Sequence, residues 1–281
     1  NRNYQQLKNM KKLIPTLAAL AVAICANAAK PLKIDLTPSD ALPGETATLE
    51  VFLPKGEAKA TVVMCPGGGY GFVSMENEGY EWVDWFNERG IATAILNYRL
   101  PHERHNVPLA DCMAAITTVR HNAAEWHIPA DKVGVIGFSA GGHLASTMAT
   151  HYTDATRPDF QILIYPVITL DPTITHMGTR DNLIGKNPRP GMEALYSNEL
   201  QVTTQTPPAF IFATQDDDVV PVENSIRYEA ALTAAKVPAE LHIYPTGGHG
   251  YGKRPHFKYV NQMLWLLDSW FNTTVYPAPD R

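Results

Sequence analysis

The sequence contains little of the material from which metal centres, disulfide-stabilised scaffolds and membrane spans are built. Only three of its 281 residues are cysteine, and neither these nor the ten histidines are clustered with metal-ligand spacing. The apolar run at residues 13–25 is shorter than the roughly 20 residues that a transmembrane helix needs, and no later run is longer. We therefore expect no metal site, no disulfide framework and no stable membrane insertion.

Residues 10–28 show the order of features that is typical of a secretory signal peptide. A basic pair follows the first methionine, the apolar run follows the basic pair, and small residues end the segment. We expect cleavage after Ala28 and a secreted or periplasmic product, with residues 1–9 as an upstream extension outside the fold. A lipid anchor on Cys25 fits the sequence less well, because a bulky isoleucine precedes this cysteine where such sites carry a small residue.

Cations are scarce in the part of the chain that remains after this cleavage. The removed segment contains four of the 23 Lys and Arg residues and none of the 28 Asp and Glu residues, so the remainder has a formal charge of −9. Nucleic acids and anionic membranes bind clustered cations, and the sequence predicts neither as a partner. Of the remaining cysteines, Cys65 lies in a predicted strand and Cys112 in a predicted helix, and we expect two buried free thiols.

Short apolar, β-branched runs alternate with helical segments along the rest of the chain. This alternation predicts one α/β domain over residues 29–281, with a mostly parallel central sheet and helices on both faces. The lead at residues 29–45 is polar and rich in proline, and the irregular stretch 171–208 is expected to lie over the carboxyl edge of the sheet as a small lid. Strands are predicted at residues 46–53, 60–65, 91–98, 132–136, 161–165, 209–213 and 240–244, and helices at about 79–89, 109–125, 222–235 and 257–270.

A glycine-flanked serine follows the fourth of these predicted strands. The sequence Gly137-Phe138-Ser139-Ala140-Gly141 comes directly after the strand and opens a further helix, as in a nucleophile elbow. The flanking glycines let the sharp turn close, and the serine hydroxyl stands where unpaired N–H groups of the helix can face a developing oxyanion. A chance match in a glycine-rich turn is the alternative, which the strand and the helix on either side disfavour.

A serine hydroxyl needs a base and a carboxylate that orients the base, and the sequence offers both after later strands. His249 follows the strand at 240–244, within a loop that is rich in glycine. Asp216, Asp217 and Asp218 follow the strand at 209–213, and they could also be a solvated turn that caps the next helix. The order Ser139, Asp217, His249 is the chain order of the α/β-hydrolase triad. His102 and His105 remain candidates for the rim of the site.

Three consecutive glycines follow the strand at 60–65 and can aim main-chain N–H groups into a cavity. We assign the oxyanion donors to the N–H groups of Ala140 and of Gly68 or Gly69. A phosphate-binding loop would require a lysine and a hydroxyl residue that are absent here. Tyr70 and Phe138, which neighbour these motifs, are candidate substrate-binding residues.

These motifs together resemble the exported bacterial carbohydrate esterases of the α/β-hydrolase fold, the type that includes acetylxylan esterases and bacterial feruloyl esterases. The resemblance covers residues 60–252 and implies Asp217 as the acid, in an Asp-x-x-Val-Pro pattern, although Gln215 departs from many relatives and leaves Asp216 as a fallback. Pro66 stands where lipase-like relatives have a histidine. The matching segments are 66–70, 78–79, 85–87, Gly90, 98–100, 137–142, 206–208, Asp217 with 220–221, and 247–250.

The resemblance implies a serine esterase that needs no cofactor and removes small acyl groups, above all acetyl, from plant polysaccharides or their oligosaccharides. A feruloyl or aryl esterase, or a peptidase on the same fold, is the alternative enzyme. A binding module that has lost its chemistry is the alternative from another class of protein. The presence of Ser139, an acidic candidate and His249 disfavours the binding module.

Overall fold

A single twisted sheet forms the centre of the part of the chain that the computed structural model describes, residues 30–39 and 41–277. The predicted signal peptide, residues 10–28, lies outside this part. The eight strands are β1 (Leu32–Asp35), β2 (Thr48–Phe52), β3 (Ala60–Cys65), β4 (Ile91–Asn97), β5 (Val133–Phe138), β6 (Gln161–Ile164), β7 (Ala209–Thr214) and β8 (Ala239–Tyr244). Their order in the sheet is β1-β2-β4-β3-β5-β6-β7-β8.

The sheet is mostly parallel, which confirms the predicted α/β architecture. Only β2 runs antiparallel to its neighbours, β1 and β4, whereas all other pairs are parallel. Every residue of β3, β5 and β7 is buried, because helices cover both faces of the sheet. Burial on both faces explains why these strands are continuous apolar runs that are readily located in the sequence.

One strand was missed, since β1 lies in the polar lead where no strand was expected. Its four residues are mostly exposed, and it pairs with β2 alone at the edge of the sheet. Such a strand carries no alternating apolar pattern, and its conformation depends on the neighbour to which it bonds.

The helices form a layer on each face of the sheet. Residues of α2, α3 and α6 join one apolar core, whereas α1 and α7 pack in the other, where Trp82, Phe86 and Trp270 are buried. The described helices are α1 (Val83–Asn87), α2 (Val107–His121), α3 (Ala140–Thr150), α4 (Met177–Ile184), α5 (Met192–Tyr196), α6 (Glu223–Ala234) and α7 (Val260–Trp270).

The stretch 171–208 is not irregular throughout, which corrects the prediction for this segment. It contains α4, α5 and a 3₁₀ turn at Asn198–Leu200. These helices are short, and helices of such length owe their stability to tertiary packing rather than to a readable periodicity. The segment contacts the carboxyl edge of the sheet, because the Asn182 Nδ2 amide donates a hydrogen bond to the Gly69 carbonyl oxygen at 2.8 Å, just beyond the end of β3.

The two cysteines of the described residues lie close together in the core. Cys65 and Cys112 are buried free thiols, as expected, with their sulfur atoms 3.8 Å apart. Within residues 30–39 and 41–277, no helix has the length and apolar character needed to cross a membrane.

Candidate active site

Ser139 occupies a strained turn between β5 and α3. Its φ of 53° and ψ of −122° are rare for a residue with a side chain. The turn closes only because the residues two positions before and after the serine are glycines. A Cβ on Gly137 would lie 2.1 Å from the Gly141 carbonyl oxygen, and a Cβ on Gly141 would lie 1.9 Å from the Cys65 carbonyl oxygen. The turn therefore has the geometry expected of a nucleophile elbow.

His249 bridges Ser139 and Asp217. The imidazole Nδ1 lies 2.7 Å from Asp217 Oδ2, and Nε2 lies 2.8 Å from Ser139 Oγ. A carboxylate only accepts hydrogen bonds, so Nδ1 carries the proton and Nε2 is free to accept one from the serine hydroxyl. The three side chains, which are 110 and 32 residues apart along the chain, thus form a continuous hydrogen-bonded series.

The three adjacent aspartates have different surroundings. Asp217 is buried, and its Oδ1 accepts the N–H groups of Val219 and Val220 at 3.0 and 2.9 Å, which fixes Oδ2 toward the imidazole. Asp216 is exposed, and its Oδ1 accepts the N–H groups of Gly247 and Gly248, the two residues before His249, at 2.8 Å each. These backbone hydrogen bonds lower the pKa of Asp216, and the bond from Gly248 contributes most. Asp218 is exposed.

The loop that carries His249, residues 245–252 (the histidine loop), is held from two sides. Thr214 Oγ1, at the end of β7, donates to the Gly248 carbonyl oxygen at 2.7 Å. Asn77 Nδ2 donates to the Gly250 carbonyl oxygen at 2.7 Å. The ring of Tyr165 packs edge-on against the imidazole, with the ring centres 4.9 Å apart. The histidine is thereby oriented by contacts beyond Asp217.

The glycine loop, residues 66–70, lies against the serine. A Cβ on Gly67 would lie 2.9 Å from Ser139 Cβ, and Gly68 has a φ of 120°, with the Phe72 carbonyl oxygen 2.2 Å from where its Cβ would stand. The Gly67 N–H group donates to the Glu78 carboxylate at 2.8 Å. Among the described residues, the N–H groups of Gly68 and Gly69 bond to no protein acceptor, which leaves these two predicted donors available to a ligand.

Tyr70 and Phe138 are placed differently from the prediction. Tyr70 is only 2% exposed and bonds through its hydroxyl to His143 Nδ1 at 3.0 Å, whereas Phe138 is fully buried against Trp82 and Tyr165. Because neither ring presents surface to solvent, burial argues against direct substrate contact by these side chains. Phe72, two residues beyond Tyr70, is instead 63% exposed and sits beside Gly68.

Several residues around the triad were missed by sequence reasoning. His176, at the start of α4, lies 3.4 Å from the Cβ position of Gly69, and its Nδ1 accepts the N–H of Thr179 at 3.2 Å. Burial lowers the pKa of His176, and the charge of His249 acts in the same direction. Glu78 contacts the glycine loop by accepting the N–H of Gly67. Residues 78–79 belong to the segments that carry the family resemblance, but the sequence assigned Glu78 no role, and His176 reaches the glycine loop from a segment more than 100 residues away.

Within the described residues, neither of the two histidines suggested for the rim of the site is hydrogen-bonded to the triad. His105 Nδ1 lies 2.5 Å from the Tyr196 hydroxyl, and His102 is exposed. In the described part of the chain, no group of three or more His, Cys, Asp or Glu side chains is arranged to hold a metal ion.

Comparison with known proteins gives one matching family model and relatives from several bacteria. A model described as alpha/beta hydrolase fold matches residues 62–253. The chain is 38% identical to an acetylxylan esterase of Xylanibacter ruminicola over 276 residues, which are 97% of this chain and 56% of that protein. It is 36% identical to an endo-1,4-beta-xylanase B of Butyrivibrio fibrisolvens over 204 residues, 67% of this chain and 32% of that one. The chain thus spans about half of the first relative's length and a third of the second's.

Two solved structures illustrate the likeness in three dimensions. The acetyl ester-xyloside bifunctional hydrolase from Caldicellulosiruptor lactoaceticus is 34% identical, with a TM-score of 0.82 over 89% of this chain and 98% of that one. The propionate-bound esterase Est2 from Thermogutta terrifontis is 22% identical, with a TM-score of 0.73 over 91% of this chain and 98% of that one, and it shares the fold.

Proposed function

The chain belongs to the α/β-hydrolase family, and on that premise we propose that it is a serine esterase that removes acetyl groups from plant polysaccharides. The observation that carries this proposal is the position of His249, bonded to Asp217 on one side and to Ser139 on the other. The relatives named for acetylxylan and for an acetyl ester-xyloside support the ester and the sugar.

The geometry supports an acyl-enzyme mechanism. Ser139 Oγ attacks the ester carbonyl carbon while its proton passes to Nε2 of His249. The tetrahedral intermediate then breaks its bond to the sugar oxygen, which takes the proton from His249 and leaves as an alcohol. Water attacks the acyl-enzyme, gives a proton to His249, and releases acetate as Ser139 Oγ recovers that proton. Asp217 keeps the proton on Nδ1 and balances the charge of the imidazolium.

Three backbone N–H groups are suited to stabilise the oxyanion of the intermediate. Ala140 begins α3, where the N–H groups have no intrahelical acceptor, and Gly68 and Gly69 lie opposite in the glycine loop. Preorganised donors of this kind contribute on the order of 3–4 kcal/mol each to transition-state stabilisation.

The exposed ring of Phe72 is the apolar surface that we assign to the substrate. It lies at the glycine loop, next to the donors and at the solvent side of the site. An aromatic face of this kind can pack against a sugar ring or an aryl group. The residue thus takes the role that the sequence had suggested for Tyr70 and Phe138.

The test is hydrolysis of a series of 4-nitrophenyl esters from acetyl to octanoyl, together with acetate release from acetylated xylan. We expect the fastest turnover on acetyl and a steady fall with chain length, with acetate released from the polymer. A preference for octanoyl esters would indicate a lipase instead. A feruloyl ester is assayed beside these substrates, and its rapid hydrolysis with little release of acetate would favour the feruloyl esterase.

We also propose that the protein is exported, on the pattern of residues 10–28. Expression of the full chain in a bacterial host, followed by N-terminal sequencing of the extracytoplasmic protein, should give Ala29 as the first residue. A lipid-modified Cys25 at the N-terminus would show that the protein is anchored.

A further inference from the structure

We propose that Glu78 is a positioning residue that joins the glycine loop to the histidine loop through Tyr165. Glu78 is buried, with only 4% of its surface exposed. This inference rests on the proposed esterase function, because it concerns how the same site is held for catalysis.

The two oxygens of this carboxylate bind different parts of the site. Oε2 accepts the N–H of Gly67 at 2.8 Å, and Oε1 accepts the hydroxyl of Tyr165 at 2.9 Å. Gly67 directly precedes the proposed oxyanion donors Gly68 and Gly69. The hydrogen bond from Gly67 therefore sets the position of the loop against the serine.

Tyr165 carries the connection onward to the histidine loop. Its hydroxyl oxygen accepts the N–H of Gly252 at 3.1 Å, and its ring packs against the imidazole of His249. The residue before Glu78 acts on the same loop, since Asn77 donates to the Gly250 carbonyl oxygen. The consecutive residues Asn77 and Glu78 thus bond directly to the two loops that contact Ser139, Asn77 to the histidine loop and Glu78 to the glycine loop.

The chemistry of the contacts calls for a carboxylate rather than an amide at this position. Both contacts to Glu78 come from donors, and a glutamine would have to point its NH₂ group at one of them. The Tyr165 hydroxyl would then receive two donors and have no acceptor for its own proton. A buried polar group in that state costs about 1–3 kcal/mol.

Several charged groups surround this part of the site. Burial raises the pKa of Glu78, while the hydrogen bonds from Tyr165 and Gly67 and the charges of His249 and Arg254 act against that rise. Arg254 is itself paired with Glu81 at 3.2 Å.

The test compares Glu78→Gln, Tyr165→Phe and the matched control Glu81→Gln, which removes a carboxylate three positions along the chain that touches neither loop. For each variant we would measure kcat and KM on 4-nitrophenyl acetate across pH, the circular dichroism melt, and the rate at which a fluorophosphonate phosphonylates Ser139. In that labelling step Oγ bonds to phosphorus and fluoride leaves. It needs the serine, the base and the oxyanion donors, but no particular ester substrate.

For Glu78→Gln we expect kcat and the labelling rate to fall by about 10- to 100-fold with KM within about threefold, because the contacts act on the transition state. Tyr165→Phe keeps the carboxylate and should lower kcat by about three- to tenfold. Glu81→Gln should stay within about twofold of the wild type.

A folded Glu78→Gln variant with unchanged kcat and an unchanged labelling rate would overturn the proposal, as would an equal effect of Glu81→Gln. If Glu78→Gln does not fold, Tyr165→Phe decides, and a folded variant with wild-type kcat and labelling would overturn it. If the wild type hydrolyses none of the esters, the proposed function fails, and the labelling rates still test the role of Glu78.

Discussion

Ser139 is the residue on which the geometry of the site converges. Its backbone is held in a conformation that costs on the order of 1–3 kcal/mol for a residue with a side chain, and its hydroxyl lies 2.8 Å from His249 Nε2. Its N–H donates to the carbonyl oxygen of Ile164, the last residue of β6, and its own carbonyl oxygen accepts the N–H of Val167, so hydrogen bonds to the end of β6 and to the segment after it hold the strained turn.

Ser139→Ala should abolish esterase activity while leaving the fold intact, because only the hydroxyl is lost. The expected fall in kcat is on the order of 10⁴-fold or more. Ester hydrolysis and the circular dichroism spectrum measure the two parts of this prediction. More than about a hundredth of wild-type turnover in a folded variant would contradict the serine mechanism.

Asp217→Asn should lower kcat by roughly 10²- to 10⁴-fold, because the amide keeps the shape but cannot balance the imidazolium charge. The upper end of this range is the loss caused by removing the triad aspartate from serine proteases. Asp216→Asn should cost no more than about tenfold, since an amide oxygen can still accept the hydrogen bonds of Gly247 and Gly248. Asp218→Asn should be similarly mild, because it alters an exposed side chain. Steady-state kinetics of the three variants decide, and a mild Asp217→Asn beside a crippling neighbour would reject the assignment.

At the scale of elements, the site is assembled where strands end and helices begin. β5 delivers the serine, β7 the aspartate and β8 the histidine, all at the carboxyl edge that parallel strands share. Helix α4 adds a hydrogen bond from the Asn182 side-chain amide to the Gly69 carbonyl oxygen. The close approach of α3 to the end of β3 fixes the glycine loop against the elbow.

Gly141→Ala tests this approach. The added Cβ would lie 1.9 Å from the Cys65 carbonyl oxygen, a backbone atom that can move only if β3 and α3 separate. We expect a loss of at least about 1–3 kcal/mol of unfolding free energy, or failure to fold. Urea denaturation measures this loss. Equal stability of Gly141→Ala and the wild type would contradict the close contact between α3 and the end of β3.

At the scale of the whole molecule, polar groups buried inside the apolar cores make stability depend on pH. His143 on α3 is fully buried, and its Nε2 donates to the Tyr196 carbonyl oxygen at 2.8 Å while Nδ1 accepts the Tyr70 hydroxyl. Burial lowers the pKa of His143 to about 4, so the neutral form predominates in the folded protein. Burial also lowers the pKa values of His105 and His151.

The unfolding free energy should therefore fall as the pH drops from about 6.5 to about 4. In that range the unfolded chain binds a proton at His143 and the folded chain does not, which disfavours folding by up to about 3 kcal/mol from this residue. Urea denaturation at several pH values measures the fall. His143→Gln should show a smaller fall over the same range, and an identical pH dependence in both proteins would contradict the prediction.

The sequence by itself determined the parallel strands and the chain order of the three site residues. Buried parallel strands are continuous apolar runs, so the predicted bounds of β3 match the observed ones and those of β7 differ by one residue. The glycines beside Ser139 mark a turn whose requirements are local. These features can be located in a sequence because their physical cause lies within a few residues of each.

Only the tertiary structure decided which other side chains reach the site. Glu78 and His176 both contact the glycine loop, Glu78 through the N–H of Gly67 and His176 beside Gly69. Tyr70 turns into the core, because His143 offers it a buried hydrogen-bond partner, and Phe72 is left at the surface. The edge strand β1 forms because β2 supplies its hydrogen bonds. Burial and pairing are properties of the folded neighbourhood, and no local pattern carries them.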